Sequence, residues 1–335
     1  MRVGSLHYAT NSGLGVLAKE FYDNGVITDV LIKKHVSFET HVEWYPDSDI
    51  IGDQELSSAT QDMETLEGFI KKLDILFVFE SPWYKETLYF AQKHNIPVAC
   101  MPMYEWSPYP MYADIFITPS LLDFDYYRTL YPNHSVVMLP VPANSNVQWR
   151  FRERATTFMH NGGNGSRNDR NGTQALIEAL PYIDSPIKLK IRAQNLPLPF
   201  LNDPRVEVIN KQLPFSELWQ DADVFIFVER FNGLCLPLQE AFSNGTMIIA
   251  GNRYPMNTWL PVSPLVNPIG YEDLSFVNVP FKSAIYDARD IARKIDEFYG
   301  TDISSFSLAG KKWAEENCWE KLKPQYISHL MSILR

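Results

Sequence analysis

What most constrains this chain is a rhythm kept along nearly its whole length: short runs rich in Val, Ile, Leu and Phe alternate with longer amphipathic stretches. In the first half the apolar runs cover residues 2–8, 27–32, 75–80, 97–101, 115–118 and 136–139, and helical patterns cover 14–24 and 87–94. The second half repeats the plan, with strands expected at 156–160, 187–192, 206–210, 224–228 and 247–250 and helices at 173–180, 215–220 and 238–244. Runs that are apolar throughout suit strands covered on both faces. Strands that alternate with helices build βαβ units around a mostly parallel sheet, so the chain is read as an α/β protein. Three more helical patterns, at 288–299, 309–317 and 319–334, close it.

The 335 residues exceed one ordinary α/β core and suit two domains of about 150 residues each. Pro140 and Pro142 stiffen the segment 140–146 between the two series of βαβ units, which sets the expected domains at 1–143 and 144–318. The expected architecture is two Rossmann-like domains facing across a cleft, with ligands outside the carboxyl ends of the strands. A net charge of −10 disfavours a general nucleic-acid-binding surface. A local basic patch is still open to Arg150, Arg152, Arg154, Arg167 and Arg170, which crowd one stretch of chain. Cys100, Cys235 and Cys318 form no CxxC pair, which argues against a disulfide framework and a structural zinc. No apolar run nears the roughly 20 residues that span a bilayer, and the amino terminus enters a strand at once, unlike an export signal. A cytoplasmic protein is expected.

The most informative stretch is 222–251, ADVFIFVERFNGLCLPLQEAFSNGTMIIAG. A buried strand runs into the polar turn Glu229-Arg230-Phe231-Asn232-Gly233, a helix opens near Pro237, and a second strand begins at Met247. A glycine turn before a helix presents unpaired backbone N–H groups and a positive dipole, which suits phosphate or a sugar hydroxyl. Glu240, early in that helix, can accept hydrogen bonds from a ribose diol.

This stretch resembles the donor-binding signature of GT-B glycosyltransferases of family 4. There a strand passes through Glu-Gly-x-Gly-Leu-Pro to a Glu-Ala pair, with the two acids eight positions apart. Glu240-Ala241 matches the second acid, and Asn232-Gly233 falls where the first Glu-Gly is expected. The resemblance implies a ribose-binding role for Glu240 and a sugar-contacting role for Asn232, with Gly233 and Leu234 completing the donor turn. Asn for Glu removes a charge, and Cys235 stands where the family has glycine. His160-Asn161-Gly162-Gly163, followed by Arg167 and Arg170, is similar to the family's diphosphate-holding loop; either arginine supplies the charge-assisted bonds. Asn210 and Lys211 stand where the family borders the nucleobase. Gly13 and Gly15 of Ser12-Gly13-Leu14-Gly15 look like its glycine-rich loop beside the donor phosphates. Residues 319–335 resemble the closing helix that returns to the first domain. The resemblance implies a nucleotide-sugar-dependent transferase that retains anomeric configuration; the nucleotide sugar is its co-substrate, and because no DxD-like pair ends a strand, chemistry without a metal or other cofactor is expected, with Arg167, Arg170 and helix N-termini neutralising the diphosphate.

Acceptor-side residues come from the carboxyl ends of strands in the first half. Glu80 ends one and Glu105 follows another, and either carboxylate can bind or polarise an acceptor hydroxyl. His7 ends the first strand, and Trp83, Trp106 and Tyr109 offer stacking faces. Asp123-Phe124-Asp125 sits at a helix start and reads as a cap, not a metal pair. The acceptor is a glycan, a small molecule or, as in virus-type DNA glycosyltransferases, a hydroxylated base. A nicotinamide oxidoreductase would want a full GxGxxG, which 12–18 meets only in part. A two-lobed binding protein would ordinarily carry an export signal.

Overall fold

The computed structural model describes residues 1–35, 38–52, 60–104, 112–163, 169–193, 201–211, 213, 217–260, 263–276 and 279–334. They divide into two units. One comprises Met1–Pro142 with Trp319–Arg335, the other Ala143–Phe276 with Pro280–Cys318.

The first unit runs β1 (Val3–Tyr8), α1 (Gly13–Asp23), β2 (Asp29–Lys33), β3 (Ile50–Ile51), α2 (Thr60–Ile70), β4 (Ile75–Glu80), α3 (Lys85–Lys93), β5 (Val98–Pro102), β6 (Ile115–Thr118), α4 (Leu121–Leu130) and β7 (Ser135–Met138). Its strands form one sheet in the order β3-β2-β1-β4-β5-β6-β7, and every pair is parallel. The second unit holds β8 (Thr157–Gly163), α5 (Thr173–Ala179), β9 (Lys188–Ala193), β10 (Val206–Ile209), β11 (Val224–Phe227), α6 (Leu236–Ser243), β12 (Met247–Gly251) and β13 (Leu265–Val266). It ends with β14 (Pro268–Phe276), β15 (Val279–Tyr286), α7 (Ala288–Phe298) and α8 (Ser304–Glu316). The second sheet has the order β10-β9-β8-β11-β12-β13, again parallel, while β14 and β15 pair as a separate ribbon.

The period of two along each strand explains the unbroken apolar runs. Val224, Ile226 and Val228 face one way, into a core with Leu176 of α5 and Ile291 of α7. Phe225 and Phe227 face the other way, against Leu238 and Phe242 of α6. Helix starts follow capping chemistry. Ser12 Oγ accepts from the Gly15 N–H at 3.2 Å, and the Asp287 carboxylate accepts from the Arg289 N–H at 2.9 Å. Asp123 lies in the first turn of α4, where its carboxylate accepts from Ser120 Oγ and from the Tyr104 N–H. The cap itself is Ser120, whose Oγ accepts from the Asp123 N–H at 3.2 Å, while the Asp123 carboxylate ties the helix start to the segment after β5.

The final helix, α9 (Trp319–Met331), packs in the first unit. Trp319 Nε1 donates to the Glu20 carboxylate at 3.1 Å. The rings of Trp319 and Tyr326 both meet Phe21 edge-on. Tyr326 Oη donates to the Pro140 carbonyl at 3.0 Å, so α9 also clamps the end of the segment leaving this unit.

Several elements lie beyond the sequence-based expectation. Of the helix expected over 215–220, residues 217–220 run as a short turn, anchored by buried Trp219. The β14–β15 ribbon was not expected, because Gly270 and Pro280 interrupt its alternation and both weigh against strands. Trp319→Ala removes the aromatic contacts and the hydrogen bond to Glu20; it should destabilise the chain by about 3–5 kcal/mol in urea unfolding.

Candidate functional site

In the second sheet the chain lays β8, β9 and β10 outward in one direction, then crosses back to place β11 on the other side of β8. Neighbouring strand ends at such a reversal leave a crevice that no connection covers, and ligands of open α/β sheets bind there. The β8 end is Asn161-Gly162-Gly163 and the β11 end leads into Glu229. Gly172 begins α5 with φ of 73°, and a Cβ there would lie 2.2 Å from the Val228 carbonyl oxygen. Only glycine lets the helix start this close to the end of β11. The Arg230 N–H donates to the Arg170 carbonyl at 2.8 Å, which ties the loop before α5 to the turn after β11.

That turn, 229–235, is held from two sides. Arg170 Nε donates to the Phe231 carbonyl at 3.2 Å and Nη2 to Asn232 Oδ1 at 3.0 Å, with the guanidinium 5.5 Å from the Phe231 ring centre. Arg253 donates from Nη1 and Nη2 to the Asn232 carbonyl at 3.3 and 3.0 Å. The Cys235 N–H donates to Asn232 Oδ1 at 3.1 Å. Cys235 itself has φ of 53°. A left-handed residue ahead of α6 explains why glycine is usual at this place in the signature and marks Cys235 as strained. The β14–β15 ribbon braces the same turn. The Ala284 N–H donates to the Arg230 carbonyl at 2.8 Å, Arg230 Nε donates to the Ala284 carbonyl at 3.1 Å, and the ring centres of Phe231 and Phe281 lie 4.3 Å apart.

Two charged residues that the sequence reading passed over stand here. Arg192 ends β9 beside β8, is 3% exposed, and has no hydrogen-bond partner at Nε or Nη1 among the described residues. Burial lowers its basicity, and the charge of Glu240 opposes that effect. Glu229 is fully buried, with neither carboxylate oxygen hydrogen-bonded among the described residues. Arg253 Nη1 is 3.6 Å away, outside hydrogen-bond reach. Burial therefore outweighs the attraction of Arg253 and Arg170 and pushes the Glu229 carboxyl up to about 8.

Arg170, Asn232, Gly233, Leu234 and Glu240 thus share one neighbourhood at the carboxyl ends of β8, β9 and β11. Asn210 and Lys211 are exposed after the edge strand β10, with β9 between them and β8. Arg167 and Glu105 lie outside the described residues, as do Trp106 and Tyr109. Gly13 and Gly15 open α1 in the other unit, where a Cβ on Gly15 would lie 2.0 Å from the Thr10 carbonyl oxygen. Glu80 ends β4 with φ of 56° and Trp83 follows with 63°. β4 and β1 flank the reversal of the first sheet, so this strain sits at the corresponding crevice. His7 is not at that surface. Its ring is fully buried between Ser5 Oγ and Tyr45 Oη, and burial depresses it to about 3, so it is neutral.

The arginine-rich stretch does not form one patch. Arg170 serves the signature turn, whereas Arg152 is buried at the opposite ends of the strands, donating to the Ala222 and Trp219 carbonyls and to Asn244 Oδ1. A depression of about 1130 Å³ does open there, walled by Arg150, Arg154, Lys188, Glu207 and Asp223 among others. It lies at the amino ends of β8 to β11, away from the crevice, and arginines and lysines outnumber the acids in its lining.

No family model and no curated protein matches the sequence. Solved structures do. HepE (Alr3699) of Anabaena, determined with UDP and glucose, has a TM-score of 0.72 at 11% identity, covering 99% of this chain and 100% of that one. Sucrose-phosphate synthase of Thermosynechococcus elongatus has a TM-score of 0.66 at 14% identity, covering 99% of each. UGT89C1 of Arabidopsis thaliana, complexed with UDP, has 0.55 at 11%, covering 98% of this chain and 99% of that one. The chain shares their two-domain α/β fold, the GT-B fold, over its full length.

Two outcomes test this geometry. Glu229 ionises near 4.5 when unfolded but only near 8 when folded, so between these pH values the unfolded state holds fewer protons and stability falls as pH rises. Glu229→Gln lacks that slope; its stability relative to wild type should climb from pH 5 to 8 and level off above, as read by urea unfolding at each pH. Gly172→Ala should destabilise by about 1–3 kcal/mol, and a midpoint equal to wild type would contradict the close approach to Val228.

Proposed function

We propose that this chain is a glycosyltransferase that moves a sugar from a nucleotide-sugar donor to an acceptor hydroxyl. The observation that carries the reading is the signature turn 229–235, with Glu240 downstream, set at the strand-order reversal of the second sheet beside Arg170 and Arg192. Similarity to structures determined with UDP and UDP-glucose supports it and makes UDP sugars the first donors to try.

In this reading Glu240 accepts from the ribose hydroxyls and Asn232 meets the donor sugar above Gly233 and Leu234. Breaking the bond between the anomeric carbon and the diphosphate leaves negative charge on the departing oxygen. Guanidinium groups fixed in advance stabilise that charge more effectively than water, which must reorganise. Arg170, Arg192 and Arg167 are assigned to it, and Gly13 and Gly15 approach the same phosphates. The acceptor oxygen bonds to the anomeric carbon as the diphosphate leaves, its proton passes to the departing phosphate oxygen, and configuration is retained. Charge compensation by arginine is the reason to propose chemistry that needs no metal. Asn210 and Lys211 border the base, and Glu80 and Glu105 are the acceptor-side carboxylates. A glycan or small molecule is preferred over a DNA base, because the arginines counted toward a nucleic-acid patch serve opposite ends of the sheet. Among the described residues no helix is long and apolar enough to cross a membrane. A cytoplasmic setting fits three unpaired thiols.

A thermal-shift panel of UDP, GDP, ADP, CMP and dTDP sugars identifies the donor, since a ligand of the folded state raises the melting temperature by mass action. Glu240→Ala should abolish the shift. Glu80→Gln should keep it while lowering transfer at least tenfold, about the effect of one lost charged contact. Undiminished donor binding by Glu240→Ala would overturn the site.

A further inference from the structure

Glu229 joins β11 to the donor turn, and its carboxyl is fully buried with neither oxygen hydrogen-bonded among the described residues. Such a group costs free energy in either form. The acid leaves its O–H without an acceptor, and the anion lacks water. At a place that served packing alone, an apolar side chain of similar size would be the more stable choice.

The titratable and charged groups acting on Glu229 come from four segments. Arg253 follows β12, Arg170 precedes α5, Cys235 precedes α6 and Tyr286 ends β15. Burial pushes the Cys235 thiol and the Tyr286 phenol upward, so both stay neutral where Glu229 titrates. The attraction of Arg170 comes second to that of Arg253.

Arg253 is the group placed to respond. Its Nη1 and Nη2 donate to the Asn232 carbonyl at 3.3 and 3.0 Å, Nη1 also donates to the Tyr254 carbonyl at 3.0 Å, and Nη1 stands 3.6 Å from Glu229 Oε1. The guanidinium thus lies between a turn carbonyl that it binds and a carboxyl that it does not. The charge on the carboxyl decides which of them holds it. A neutral acid attracts it weakly and leaves it on the turn. An anion shielded from water attracts it more strongly than a carbonyl does. Burial holds the Glu229 carboxyl up at about 8, so the neutral form prevails at neutral pH.

We infer that Glu229 is a positioning residue: its neutral carboxyl leaves Arg253 on the Asn232 carbonyl, which keeps the donor turn and α6 in the binding arrangement, and its anion draws Arg253 away. The inference rests on the donor-site reading above and adds to it a proton that must stay in place for the nucleotide to bind. Below pH 8 nearly every molecule is competent; above it the competent fraction falls about tenfold per pH unit, and apparent affinity falls with it. Binding near pH 8 therefore takes up a proton.

The test is calorimetry of UDP and of GDP on the full chain at pH 7, 8 and 9. For the nucleotide that binds, the wild-type Kd should rise about tenfold from pH 7 to 9. At pH 8, titrations in two buffers of different ionisation enthalpy should show about half a proton more taken up than by Glu229→Gln. That variant keeps a neutral donor and acceptor in nearly the same volume and has no proton to lose, so its Kd should stay level across the range. Ionisation of the nucleotide itself is common to both proteins and cancels in the comparison. Glu229→Met buries no polar atom and should give the same level profile, which covers the case of a Gln variant that does not fold. A wild-type Kd that stays level, or an equal rise in the neutral variants, overturns the role of Glu229 and leaves the donor site standing. No binding of UDP, GDP or any donor of the thermal-shift panel at pH 7 overturns the donor-site reading together with it.

Discussion

Everything assigned to the second unit depends on the way two guanidinium groups hold the turn after β11. Arg170 and Arg253 approach it from different segments, and between them they occupy the carbonyls of Phe231 and Asn232 and the side-chain oxygen of Asn232. Without them, a turn that includes a left-handed Cys235 and ends at a helix start would have many alternatives of similar energy. Hydrogen bonds to charged donors contribute about 1.5–3 kcal/mol each where water is excluded, more than enough to select one. The helix α6, and with it Glu240, is aimed by that selection.

The same arrangement explains why so much charge is tolerated in a buried place. Arg253 satisfies backbone carbonyls rather than acids, and Glu229 escapes the cost of an isolated charge by holding its proton. Arg192 keeps unpartnered nitrogens at a strand end. A fold that kept a desolvated cation there only for stability would gain by replacing it with an apolar side chain. Such a group is intelligible as a receptor for an anion, which is how it enters the proposed donor site.

Some of this was legible from residues alone. The signature stretch announces itself through strand, turn and helix start in sequence, with Pro237 marking the first turn of α6. Arg170 could be placed near the turn because its loop belongs to the preceding βαβ unit. Arg192 and Glu229 were not legible, because an arginine or glutamate at the end of an apolar run is most often a solvated strand terminus. Around Glu229 stand Tyr286 of β15 and Arg253, both distant in sequence and neither marked by a local signal. Conversely, the run from Arg150 to Arg170 looked like one basic patch only because neighbours in sequence were taken as neighbours in space. β8 passes between its members and carries them to opposite ends of the sheet.

The sequence by itself determined the class of this protein: apolar runs of strand length, spaced by amphipathic helices, can bury their surfaces only as parallel sheets covered on both faces. It also pointed to the carboxyl ends of the strands as the place of function, because ligands of open α/β sheets bind there. Only the tertiary structure decided which charged groups meet, which lose their solvent and which way the Asn232 amide points. Those properties depend on distances between segments far apart in the chain, and desolvation and hydrogen-bond direction exist only once those distances are set.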